Sequence, residues 1–216
     1  MKKLNRKQKL ALYLVILLIS LFLIGSITQW PSPTLETAIR RKEKQQLIGP
    51  SEIIGHISYG YDSEDHLYLG KTEHGWITYE YIGDLGWDSA ELRYFPKEEH
   101  VTMICPDFLL RTQNSSRLPI FAFTDKSKAV SAEMTISVSG TEASGFYRLH
   151  GEKQEGGYFL FSLPGEELDT ECFWLLQQSI TNSYQEYILT GTVDIHIDFL
   201  DKSGNLTDTY TKTVNK

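Results

Sequence analysis

Two cysteines in 216 residues are too few for a disulfide-built scaffold or for a zinc site of four thiolates. Sixteen glycines and seven prolines are too few for a low-complexity linker or a collagen-like repeat. The sequence contains no G-x-S-x-G, no H-E-x-x-H, no phosphate-binding glycine loop and no dinucleotide fingerprint, and the S-x-x-K, S-D-N and K-T-G set is missing too. No constellation therefore names a reaction, and nothing calls for a cofactor. The balance of 41% hydrophobic and 23% charged residues is that of a globular chain, which excludes a disordered acidic tail and a polytopic membrane protein.

Charge is absent from one stretch. Leu10 to Ile27 reads LALYLVILLISLFLIGSI. At about 1.5 Å per helical residue this run covers about 27 Å, and extension to Trp30 reaches the roughly 30 Å of a bilayer core. The sequence thus predicts a transmembrane helix over residues 10–30, with Trp30 at headgroup level. Acids are absent before it, where Lys2, Lys3, Arg6, Lys7 and Lys9 form a basic tail over residues 1–9. The positive-inside rule then places the N-terminus in the cytoplasm and the rest outside, at the plasma membrane. A cleaved signal peptide is the competing reading, though the run is long for one and Ile24-Gly25-Ser26 matches its exit poorly. The first cysteine is Cys105, so no lipid-bearing cysteine follows the apolar run. Sixteen basic residues face 28 acids beyond residue 9, a balance of −12. Such a body offers nucleic acid no basic stripe.

Trp30-Pro31-Ser32-Pro33 ends the run, with residues 31–33 as a linker. A short helix is expected from Thr34, its cap, to about Leu47, stopped by Gly49-Pro50. From Glu52 to Cys105 the pattern becomes short alternating strands separated by turn-rich segments. This reads as an antiparallel meander and, with the helix, as an α+β module over 34–112. Val101, Met103 and Cys105 complete that set. Gln113-Asn114-Ser115-Ser116 marks a boundary. A second strand series fills 117–216 and ends in a hairpin from Tyr187 to Val214. About seven strands in about 100 residues suit an antiparallel β-sandwich. Residues 168–182 fit either a helix, through Phe173, Leu176 and Ile180, or a buried strand. The expected class is mainly β with one transmembrane helix.

The basic tail, single apolar run and Trp30-Pro31-Ser32-Pro33 exit resemble the signal-anchored extracytoplasmic proteins of low-GC Gram-positive bacteria. The turn from Phe199 to Leu206 and its flanking strands resemble the last hairpin of immunoglobulin-like or fibronectin-type-III-like bacterial modules. These resemblances cover residues 1–33 and about 186–214, and imply no functional residue.

Asp194, His196 and Asp198 alternate with Ile195 and Ile197, so on a strand they share one face. Two carboxylates and an imidazole suit a divalent metal or a hydrolytic site. Same-face strand neighbours lie about 6.6–7 Å apart, which favours a solvated strand face instead. The Asp62-Ser63-Glu64-Asp65-His66 cluster departs from the calcium-loop pattern and reads as an acidic turn. His56, His66, His74, His100 and His150 are scattered. Cys105 and Cys172 are either buried free thiols or, outside the cytoplasm, one disulfide. Trp76, Tyr79, Tyr81 and Trp87 concentrate in the first module and serve either as core or as an aromatic patch that docks a partner. The function expected is a membrane-anchored interaction or accessory protein of the cell envelope, not an enzyme. Its partners would be the bilayer, through residues 10–30, and an envelope or membrane protein. The alternatives are an envelope hydrolase or metal-binding protein using Asp194, His196 and Asp198, and a secreted binding protein.

Overall fold

Helix α1 (Arg6–Ile27) opens the computed structural model, which describes residues 5–27, 32, 34–59, 65–81, 91–106, 110–111, 116–124, 128–140, 144–165, 170–181 and 190–215. The apolar side chains described on α1 run from Leu10 to Leu21, and all the large ones are exposed, from 69% at Leu10 to 43% at Leu21. Among the described residues, no helix is long and apolar enough to cross a membrane. The expected class is corrected accordingly: the chain is mainly β with an exposed apolar N-terminal helix, and the readings of residues 10–30 as a transmembrane helix and a signal anchor are not upheld.

Helix α2 (Leu35–Gln45) begins where Thr34 accepts a hydrogen bond from the Thr37 amide at 3.2 Å. It ends as Ile48 N donates back to Glu43 O at 2.9 Å, with Leu47 at φ 57°, a left-handed position that glycine more often fills. Its buried Ala38 and Ile39 pack on a four-stranded antiparallel sheet. The strands are β1 (Glu52–Tyr59), β2 (Asp65–Lys71), β3 (Gly75–Tyr81) and β4 (Glu91–Pro96), in the order β1-β2-β3-β4. Side chains alternate faces. Ile77, Tyr79 and Leu92 meet α2, while Leu67, Leu69 and Trp76 face the other way.

The second sheet has eight strands: β5 (Thr102–Ile104), β6 (Leu110–Arg111), β7 (Ser116–Phe123), β8 (Ser131–Gly140), β9 (Ser144–Lys153), β10 (Tyr158–Pro164), β11 (Gly191–Leu200) and β12 (Leu206–Asn215). Their order is β12-β11-β8-β9-β10-β7-β5, with β6 also on β7. Pro119 has no N–H to donate, and it falls in the interval of β7 between the residues paired to β6 and those paired to β5. Among the described residues, the strands of 117–216 lie in one sheet, so the sandwich-like packing expected there involves both sheets of the chain, the second layer being the four-stranded one. The same stretch supplies the helix α3 (Thr170–Thr181). The two-layer stack forms between this sheet and the four-stranded one. β5, which the sequence grouped with the meander, pairs with β7.

The large sheet curls. Lys212 of β12 lies 3.5 Å from Glu98, just ahead of β5, so the two ends of the strand order approach each other. α3 touches β5, β8 and β11 along the inside, and Cys172, Leu175, Leu176 and Ile180 join the core there with Ile136, Phe161, Ile195 and Phe199. β7 is buried on both sides. Leu118, Ile120 and Ala122 enter that core, while Phe121 and Phe123 face the small sheet.

Candidate functional site

The seam between the sheets is held by Leu67, Leu69 and Trp76 from one side and Ile104, Phe121, Phe123 and Tyr158 from the other. Trp76 and Phe123 lie with ring centroids 4.8 Å apart, and Phe123 and Tyr158 at 5.7 Å. Two glycines allow the close approach. A Cβ on Gly55 would sit 2.6 Å from the Tyr158 hydroxyl, and one on Gly156 would collide with the Ile54 carbonyl.

A cleft of about 280 Å³ opens at one end of this seam. Its aromatic wall is Trp76 and Phe123, and Lys71, Lys97 and Lys153 line it together with Glu73. Each lysine is placed by a turn. Lys71 ends β2, where the Thr72 amide and hydroxyl both donate to Gly75 O, at 2.9 and 3.1 Å. Lys97 follows β4 and donates its amide to His74 O at 2.9 Å. Lys153 ends β9, ahead of a tight turn in which Gly157, at φ 81°, donates to Gln154 O at 2.9 Å. Three cations against one carboxylate give the cleft a positive balance, in a body whose own balance is −12. Such a lining attracts an oxyanion beside an apolar surface.

The residues singled out in the sequence lie elsewhere, apart from Trp76. Asp194, His196 and Asp198 share the exposed face of β11, as their alternation requires. Their side chains are engaged along β12: Asp194 with Thr213, His196 Nδ1 with Thr211 at 2.9 Å, and Asp198 with Thr209 at 2.6 Å. His196 Nε2 also meets Asp198 at 3.1 Å. Thr211, His196 and Asp198 thus form a hydroxyl–imidazole–carboxylate chain. β11 is paired on both flanks, to β8 and β12, so its backbone N–H groups serve the ladders. Among the described residues, no three His, Cys, Asp or Glu side chains converge to hold a metal.

Cys105 and Cys172 are both buried in the same core as thiols, with no disulfide between them. Tyr79 is fully buried beneath α2, and Trp76 is only 7% exposed, so both act as packing. Tyr81 is half-buried. Trp87 and residues 61–64 of the acidic turn lie outside the described residues. The fold does unite two of the scattered histidines. His56 Nε2 lies 3.0 Å from His66 Nδ1 on the face of the small sheet that α2 partly covers. Burial first, and then His66, hold His56 below the ordinary histidine range.

Compared with protein-family models, curated proteins and solved structures, the chain matches none. The geometry of its own residues therefore carries the functional reading. The three lysines, spaced 26 and 56 residues apart along the chain, formed no cluster that sequence inspection could find.

Proposed function

We propose that this chain is an interaction protein of the cell envelope, with its body outside the cytoplasm and its apolar helix α1 against lipid. The body takes an anionic group of its partner in the seam cleft. The observation that carries this reading is the gathering of Lys71, Lys97 and Lys153 beside Trp76 and Phe123, in a body otherwise acidic. A cleft whose lining carries more cations than carboxylates favours an oxyanion. The exposure of Leu10 to Leu21 supports lipid contact, since each buried methylene gains about 0.8 kcal/mol. Kinship with extracytoplasmic proteins of low-GC Gram-positive bacteria belongs to the same proposal, as does a membrane-protein partner.

Amide resonances of the full chain in micelles, titrated with inorganic phosphate and with succinate, test the cleft. Shifts centred on Lys71, Gly75, Lys97 and Gly157 are expected, weakened at least tenfold by Lys97→Ala with Lys153→Ala and reduced by added salt. Shifts centred elsewhere, or none, would overturn the cleft reading. Vesicles of three parts phosphatidylcholine to one part phosphatidylglycerol test α1. The full chain should sediment with them, and Leu14→Glu with Leu17→Glu should leave it in the supernatant.

A further inference from the structure

We propose that His56 and His66 form a two-imidazole site for a divalent transition metal, with Cu(II) preferred. The pairing of β1 and β2 sets Ser58 opposite His66 and His56 opposite Tyr68, so the two histidines are diagonal neighbours on one face. His56 Nε2 and His66 Nδ1 are 3.0 Å apart, and Ser58 Oγ is 3.2 Å from the same Nδ1. His56 Nε2 and Ser58 Oγ thus both approach His66 Nδ1.

The spacing fits a metal. An ion about 2.0 Å from each nitrogen, with the nitrogens 3.0 Å apart, subtends about 97° between them. That is near the right angle between adjacent positions of a tetragonal ion. Ser58 and solvent oxygens would fill the remaining positions. Imidazole suits Cu(II), Ni(II) and Zn(II), and affinity in such a site rises to a maximum at Cu(II).

The surroundings orient the donors. Tyr68 stacks on His56 with centroids at 4.6 Å and planes 17° apart, and Tyr81 stacks on His66 at 6.0 Å and 10°. Both tyrosines also pack toward the core under α2, so the imidazole planes rest on fixed rings. Preorganised donors lose little freedom when the ion arrives. His56 is exposed and His66 half-buried, which leaves the site open to solvent. In the metal-free protein one imidazole donates an N–H to the other. On binding, that proton moves to the far nitrogen of its own ring. Both facing nitrogens then offer lone pairs, and no oxidation or net proton release is needed when both rings start neutral.

The test is Cu(II) titration of the full chain in micelles, followed by electron paramagnetic resonance. A tetragonal spectrum with coupling to two imidazole nitrogens is expected, and His56→Ala and His66→Ala should each weaken binding at least tenfold, whereas His196→Ala should not. Coupling to one nitrogen or none, or unchanged affinity in His56→Ala, would overturn the site. Should either variant fail to fold, paramagnetic broadening of amide resonances in the unsubstituted chain decides the matter. Broadening centred on β1 and β2 supports the proposal, and broadening centred on His150 or His196 refutes it.

Discussion

Phe159 on β10 and Phe199 on β11 meet edge to face with ring centroids 5.1 Å apart, although β8 and β9 separate their strands in the sheet. A flat sheet would hold strands three places apart about 14 Å away from each other. The contact therefore records how far the sheet curls, and both rings are fully buried. Phe199→Ala should cost about 3–5 kcal/mol in urea denaturation, the range for truncating a buried phenylalanine. A double-mutant cycle with Phe159→Ala should return a coupling of about 0.5–1.5 kcal/mol, and additivity would show that the rings do not meet.

Tyr210 should make the curl sensitive to alkali. Burial, and then the nearby Glu98 carboxylate, push its phenol up to about 12 from an ordinary 10.0. A group whose folded value is raised adds stability that is whole below the unfolded value and is lost as pH climbs through the folded one. The body should therefore weaken between about pH 10 and pH 12. Tyr210→Phe should flatten part of that slope in thermal melts, and absorbance at alkaline pH should show one phenol fewer ionising late.

Glu43 carries a buried charge at the start of the small sheet. Its carboxylate accepts the Ser51 amide at 2.9 Å and pairs with Arg40 at 2.9 Å, with its side chain 3% exposed. Glu43→Ala leaves the Ser51 N–H without that acceptor and should cost about 1–3 kcal/mol. Glu43→Gln keeps a carbonyl oxygen and should cost less. Equal losses in the two variants would show that the charge, not the hydrogen bond, matters there.

Acid should loosen the last hairpin. The Asp201 carboxylate accepts the Asn205 amide at 2.9 Å, the Asn205 side chain at 3.2 Å and the Ser203 amide at 2.8 Å. The Asn205 backbone bond first, then its side chain, then Ser203, hold this carboxyl below its ordinary range. A lowered folded value adds stability that is whole above the unfolded value of 3.8 and drains away as pH falls below it. Amide exchange at Ser203 and Asn205 should speed up over that window, and Asp201→Ala should exchange fast at every pH.

Much of this fold is legible in the sequence where side chains alternate against turn residues. Ile195 and Ile197 inward with Asp194 and His196 outward is one such stretch, and Thr34 ahead of α2 is another. Periodicity reports which side of a strand is buried, but not what buries it. Val101, Met103 and Cys105 alternate identically whether β5 joins the meander or β7. The sequence leaves residues 168–182 open between helix and strand, and over Thr170–Thr181 the helix prevails because Cys172, Leu175, Leu176 and Ile180 then fill the concave side of a curled sheet. The apolar run from Leu10 predicts a transmembrane helix; a helix forms there, but among the described residues none is long and apolar enough to cross a membrane. The lysine cleft and the histidine pair are hidden for different reasons: the cleft depends on how two sheets stack, and the pair depends on the register of β1 on β2.

The approach of Lys212 to Glu98 also bears on how copies of this protein meet. β12 and β5 end the strand order, and a strand at such an end templates growth of the sheet by a neighbouring molecule. Here a lysine on one terminal strand is drawn toward an acid beside the other, so an incoming chain would have to part them first. Polymerisation through that rim is discouraged by the same pair that marks how nearly the sheet closes.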